Sequence, residues 1–202
     1  MKFLMFFFPL FFPNFCRAAE TIKHCKRIVV IGTSGSGKTT LANEIAKVLD
    51  TQVIDLDDLY WLPEWSPKDQ DLFLKDVEKA VQAPSWVIAG NQGKARHLIW
   101  PKADCIIWLD FPLSTCLWRV FKRSCFNIWN HTPICNGNYD SLSREFSKDS
   151  IVLWVLNTHA ERKKKLEACF QNPQPDTLYL RLSSPAEVKE VVDAIHLQLD
   201  GL

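Results

Sequence analysis

The chain lacks the marks of several protein classes. Its seven cysteines include no C-x-x-C pair and no zinc-type spacing, so neither a metal-ribbon nor a dithiol redox motif is present. An odd cysteine count in a chain of 202 residues argues against a disulfide framework and suits free thiols in a reducing compartment. Neither sign of charge dominates. A net charge of +1 gives no bulk attraction to nucleic acid or to a membrane. There is no N-K-x-D guanine motif, no internal repeat and no low-complexity linker. Glycine is scarce, with seven in the whole chain.

Three of those glycines fall within six residues. Gly32 to Thr39 reads Gly-Thr-Ser-Gly-Ser-Gly-Lys-Thr, the G-x-x-x-x-G-K-[ST] pattern of a phosphate-binding loop. The β-branched run Arg27 to Ile31 precedes it and reads as a buried strand. Lys38 to Leu49 follows as a helix, with Leu41, Ile45, Val48 and Leu49 on one face. Strand, glycine loop and helix together aim backbone N–H groups and a helix N-terminus at an anion. The cradle comprises Gly32, Thr33, Ser34, Gly35, Ser36, Gly37, Lys38, Thr39 and Thr40. Lys38 is suited to β- and γ-phosphates, and the Thr39 hydroxyl to Mg²⁺.

Apolar runs continue the pattern at 52–55, 85–89, 104–110 and 177–182. They are nearly continuous rather than alternating, as in strands covered on both faces. Helical patterns fill the gaps. Leu113, Cys116, Leu117, Val120 and Phe121 form one stripe. Ser184-Pro185-Ala186-Glu187 opens another helix as a capping box, continued by Val188, Val191, Val192, Ile195 and Leu199. Residues 150–156 suit strand or buried helix; the polar residues that follow without a break favour helix. The expected fold is a three-layer α/β domain over 26–202, with five parallel strands. A polar, Asn-rich stretch at about 126–147 reads as a lid inserted in it.

Residues 1–25 stand apart. Lys2 precedes a Phe-rich run to Phe12, with Pro9 inside it and Pro13 and then Ala18-Ala19 beyond. The run resembles a short secretory signal, yet it is too short and Pro-broken to span a bilayer. Triphosphate chemistry favours a cytoplasmic location. A targeting leader and a mis-assigned start both stay open, as do monomer and homodimer.

Phosphoryl transfer needs cations and positioning. Arg119 and Arg123 lie four apart on a helix whose polar face looks toward the strand ends, and Arg144 lies in the lid. Asp55, Asp57 and Asp58 end the second strand. A carboxylate there can hold magnesium together with Thr39, or take a proton from an acceptor hydroxyl. Asp55 is the metal candidate and Asp57 the candidate base; a helix cap or turn is the structural alternative for Asp57. Asp57, Trp61, Asn91 and Arg96 are the acceptor-side candidates, although core packing is the default for an aromatic. Asp110 suits a Walker-B-like role or an N-cap. The run Arg162 to Lys165 reads as a solvated helix face.

Several stretches carry a resemblance: Arg27 to Thr40, Leu56 to Trp61 with Pro63 and Trp65, Trp86 to Asn91, Ala103 to Pro112, Cys116 to Arg123, Gly137-Asn138, Asp149 to Trp154 and Leu182 to Pro185. Over roughly 26–200 the chain resembles adenylate-kinase-like P-loop proteins labelled DNA topology modulation proteins or small AAA-type ATPases. The resemblance implies a nucleoside-monophosphate-kinase-like core using ATP and Mg²⁺. The phosphate loop with these cations reads as a kinase with a small-molecule acceptor, of nucleotide or nucleoside type, and the near-neutral net charge argues against a nucleic-acid partner. Two positions depart from that family: Ala89 stands where an Asp is usual, and Gln92 where a Tyr is usual. The loss at Ala89 keeps a second reading open, a nucleotide-binding regulator with little transfer.

Overall fold

The computed structural model describes residues 20–148 and 150–197. The signal-like reading of the Phe-rich leader and the helical stripe position Leu199 lie outside the described residues. Five strands form the central sheet: β1 (Arg27–Gly32), β2 (Val53–Asp55), β3 (Trp86–Ala89), β4 (Cys105–Leu109) and β5 (Leu178–Leu182). Their order is β2-β3-β1-β4-β5, and every pairing is parallel. Val29 lies between Ile88 and Ile106, at the centre of the register.

Successive strand side chains point to opposite faces, and both faces are covered. On one, Ile28, Val30, Val87 and Ile107 pack with Leu41 and Ile45 of α1 (Lys38–Leu49) and with Val191 and Ile195 of a C-terminal helix. On the other, Val29, Ile31, Ile88 and Trp108 pack with Phe73 and Val77 of α3 (Gln70–Ala80) and with Leu166. This is the three-layer α/β architecture expected from the sequence. Among the described residues, no helix is long and apolar enough to cross a membrane.

Strand ends fall within a residue or two of those read from the apolar runs. Asp104, expected in β4, instead anchors the sheet's lower edge. Its carboxylate accepts bonds from Lys26 N (3.0 Å), Arg27 N (2.9 Å) and Arg27 Nη2 (2.7 Å). Partial burial pushes its pKa up, but the Arg27 side-chain bond and the two backbone bonds outweigh that and leave it below the usual range. A depressed carboxylate stabilises the fold above its unfolded pKa of about 3.9, and that contribution fades as pH falls through the folded value. Asp104→Asn is therefore expected to cost about 1.5–3 kcal/mol at pH 7. The gap to the parent should narrow as pH falls below about 3.9; a gap in denaturant melts that stays equal from pH 7 to well below that value would contradict it.

Residues 113–197 follow the expected elements with two adjustments. The long helix α5 (Leu113–Asn130) buries Cys116, Val120, Ser124 and Asn127. Its predicted stripe member Phe121 is instead exposed and stacks on Trp118 at 6.3 Å. The buried line on α5 steps by four toward Asn127, which rotates Phe121 off the core. The 150–156 run is helical, opening α7 (Ile151–Gln171) with the Ser150 hydroxyl accepting from Leu153 N. In α8 (Pro185–Leu197) the Ser184 hydroxyl accepts from Glu187 N at 3.2 Å. The Glu187 carboxylate reaches back to Ser183 N at 2.8 Å rather than to the cap residue itself.

The segment read as a lid contains the last turn of α5, a hairpin pairing Pro133–Ile134 with Asn138–Tyr139, and α6 (Leu142–Glu145). Glu145 ties its base together, accepting from Ser124 Oγ at 3.2 Å and from Ser150 Oγ at 3.1 Å.

Candidate functional site

The turn from β1 into α1 depends on glycine. Gly35 has φ +82°, and a Cβ there would lie 2.4 Å from the Cys116 carbonyl oxygen. That clash, on top of about 1–2 kcal/mol of left-handed backbone strain, restricts the position to glycine. Gly37 enters α1 in the left-handed region with no side-chain cap. The first N–H groups of α1 therefore lack a side-chain acceptor, as a helix N-terminus that receives an anion requires. A cavity of about 420 Å³ opens here, lined by Gly37, Lys38, Thr39, Arg119 and Arg123, with Val188 of α8 on its apolar side.

Lys38 is held back against the loop, donating from Nζ to the Thr33 carbonyl at 3.3 Å. Burial pushes its ammonium below the ordinary lysine range; the Asp57 and Asp55 carboxylates oppose this, while Arg123 and Arg162 add to it. Arg119 donates from Nη1 to the Ser36 carbonyl at 3.2 Å, and its guanidinium covers the Phe111 ring at 5.2 Å.

The second strand delivers the carboxylates. Asp55 accepts from Thr39 Oγ1 at 2.8 Å through one oxygen and from Asp57 N at 2.9 Å through the other. Asp55 is thus the N-cap of α2 (Leu56–Tyr60). The capping role read as the alternative for Asp57 belongs to its neighbour, which leaves the Asp57 side chain to receive Gln92 Nε2 at 3.2 Å. Burial raises the Asp55 pKa, and the Asp57 charge raises it further. A hydroxyl and a carboxylate hydrogen-bonded at 2.8 Å are hard oxygen donors suited to a magnesium ion. Asp55 is also the cross-strand partner of Ala89. A carboxylate thus stands on the strand adjacent to position 89.

Helix α7 supplies residues that the sequence did not reveal. The Arg162–Lys165 run is not simply a solvated face. Arg162 is partly buried over the Trp154 ring at 4.0 Å; burial lowers its pKa and the Asp57 charge pulls it back up. Lys163 donates to Asp110 Oδ2 at 3.1 Å. One turn earlier, His159 Nδ1 lies 3.0 Å from Thr33 Oγ1, in the phosphate loop itself. Lys165, paired with Glu161 on an exposed surface, fits the solvated reading. Asp110 does not cap α5, whose N-cap is Pro112. It is buried and bonded to Arg181 and Lys163, an ion cluster that occupies the carboxylate proposed for a Walker-B-like role.

Arg96 and Arg144 are not gathered around the loop. Arg96 lies over the Trp100 ring at 4.7 Å and donates to Cys169 Sγ. Arg144 lies over the Trp65 ring at 4.2 Å. Trp61 packs edge-on against Tyr60 and Trp65. Asn91 follows Gly90 at the upper end of β3, half-buried.

The hairpin after α5 is fastened to the segment 58–65. Asn136 N donates to Asp58 Oδ1 (3.0 Å) and Asn136 Nδ2 to the Trp61 carbonyl (3.0 Å). Asn138 is buried; its Oδ1 accepts from Trp65 N at 2.7 Å, and its Nδ2 donates to the Leu62 and Cys135 carbonyls at 3.0 and 2.7 Å. The hairpin brings Cys135 beside the carboxylates, where burial and then Asp57, Asp55 and Asp58 push its thiol up to about 12. Asn138→Ala strands three backbone groups, each costing about 1–3 kcal/mol when left unpaired and buried. It is expected to accelerate amide exchange in 61–65 and 133–139 by at least tenfold, with the central strands unchanged. Exchange as slow as in the parent would show that the hairpin is held by other contacts.

The arrangement has structural counterparts. A shikimate kinase from Acinetobacter baumannii, solved in complex with shikimate, superposes with a TM-score of 0.54 at 13% identity, covering 91% of this chain and 97% of that one. The chain shares the three-layer α/β fold of that protein. Looser superpositions occur with a deoxyadenosine kinase from M. mycoides (TM-score 0.46, 16% identity, 87% and 98% covered) and a gluconokinase from Sinorhizobium meliloti 1021 (0.47, 17%, 87% and 94%). No protein-family model matches the chain, and no curated protein matches its sequence. At these identities the likeness extends to the fold, and the residues of this chain must carry any functional reading.

Proposed function

We propose that the chain is an ATP-dependent small-molecule kinase of the cytoplasm, transferring the γ-phosphoryl group to a nucleoside- or nucleotide-type acceptor. One observation carries the reading. The uncapped N-terminus of α1, with Lys38, Arg119 and Arg123 around one cavity, faces the Asp55–Asp57 carboxylates through the Thr39–Asp55 bond. The loop amides and Lys38 bind the phosphates, and Arg119 and Arg123 balance charge on the moving group. Thr39 and Asp55 would hold a magnesium ion, which when bound neutralises phosphate charge. Asp57, flanked by Lys38 and Arg162, receives the proton of an acceptor hydroxyl. A phosphate acceptor would need no base. The α7 residues His159 and Arg162 link the loop and Asp57 to the helix that returns from the hairpin.

The regulator reading rests on Ala89. Asp55, its cross-strand partner, weighs against it by placing a carboxylate beside Thr39. The narrower resemblance to DNA topology modulation proteins adds no nucleic-acid partner to a chain of net charge +1. ATP turnover over an acceptor panel, measured beside ATP affinity, tests the proposal. Phosphorylated product with at least one acceptor supports transfer. Tight ATP binding with no product on any acceptor would move the assignment to the regulator, and no nucleotide binding would remove both.

A further inference from the structure

We infer that the acceptor is an uncharged hydroxyl compound rather than a phosphorylated one; this rests on the kinase reading above and narrows the same site. The formal charges divide between the two sides of the transfer point. Asp55, Asp57 and Asp58 stand against Lys38, Arg123 and Arg162, which interact with one another through the shared surroundings of Lys38 and Cys135. Lys38, Arg119 and Arg123 belong to the donor side, since all three line the phosphate-loop cavity, and Asp55 belongs with Thr39, its partner at 2.8 Å. The acceptor side then holds the Asp57 and Asp58 carboxylates and the Arg162 guanidinium. A monophosphate brings about two further negative charges at neutral pH, and like charges in a partly desolvated site repel strongly.

Arg96 and Arg144, the other two arginines considered for the site, do not compensate. Arg96 is engaged by Trp100 and Cys169, and Arg144 by Trp65. The group that does meet Asp57 is the neutral amide of Gln92, at 3.2 Å. The opposite wall is neutral as well. The hairpin presents Asn136, which satisfies Asp58 through its backbone N–H, and the protonated thiol of Cys135. Such a surface offers carboxylate oxygens that accept from hydroxyl donors, and it lacks the paired guanidinium forks that capture phosphate or carboxylate. Nucleosides and polyols share this chemistry.

The step balances. The acceptor oxygen forms a bond to the γ-phosphorus while the bond from that phosphorus to the β–γ bridging oxygen breaks. ADP departs with that electron pair. The hydroxyl proton passes to Asp57 and then to water.

The test uses the full chain, ATP and matched acceptor pairs: nucleosides against their 5′-monophosphates, and polyols against their phosphates, with formation of the phosphorylated product followed directly. The uncharged member of at least one pair is expected to exceed its phosphorylated partner at least tenfold in kcat/KM. Which pair responds separates nucleoside from polyol. Equal or greater use of the phosphorylated members overturns this inference and leaves the kinase reading standing. ATP binding with no transfer to any member overturns both. Gln92→Arg, which sets a cation beside Asp57, is expected to shift the ratio toward the phosphorylated member by about tenfold or more. A ratio unchanged in folded Gln92→Arg protein would contradict the charge argument.

Discussion

Lys38→Met lowers the rate of phosphoryl transfer by a factor on the order of 10²–10³, the usual loss when one charge-stabilising group is removed from a transition state. The same change does not unfold the protein. Lys38 is half-buried, burial of its ammonium lowers its pKa, and among the described residues its hydrogen bond is to the Thr33 carbonyl at 3.3 Å. Met fills a similar volume without that desolvation cost. The expected result is thus a split: thermal stability equal to or above the parent, and activity nearly gone. Single-turnover rates and melting curves check it together. Transfer within threefold of the parent would remove the phosphate loop from the chemistry.

Asp57→Asn lowers kcat for a hydroxyl acceptor by about 10²–10⁴, the span of a lost general base. For an acceptor that is already an anion, the loss should stay small. The variant is a fair test because Asp57 does not hold its helix in place. Asp55 caps α2, and an Asn carbonyl at 57 can still accept from Gln92. Product formation measured on both acceptor classes, with ATP affinity as control, decides the matter. Equal mild losses on both classes would take Asp57 out of the mechanism and leave only a charge-balancing role.

The two variants probe residues that differ in how openly the sequence displays them. Lys38 and its glycines sit in one contiguous segment, so spacing alone displays them as candidates. Asp57 was visible as one of three adjacent carboxylates, but its freedom from capping follows from the Asp55 rotamer. Ala89 looked like a defect along the chain; only strand pairing sets Asp55 beside it. Arg162 and His159 were hidden in a polar helical run. A helix that passes from the phosphate loop to the far end of the sheet meets a different neighbour at each turn, so no single periodicity marks its functional face. Arg96 illustrates the reverse: position after a strand suggested a ligand contact, and Trp100 and Cys169 engage it instead. The hairpin's attachment to 58–65 uses Asn side chains bonded to backbone groups, a pattern that composition reads only as a polar loop.

Continuous apolar runs, a glycine loop and helix caps are local signals, because sterics and hydrophobic burial act on neighbours in the chain. They determined the five-stranded layered fold and the phosphate cradle. Which charges meet across that cradle, Thr39 with Asp55, Asp57 with Gln92, Thr33 with His159, was decided only in the tertiary structure. Electrostatic and hydrogen-bond partners depend on distances of a few ångströms between residues up to 126 positions apart, and no local rule along the chain encodes those distances.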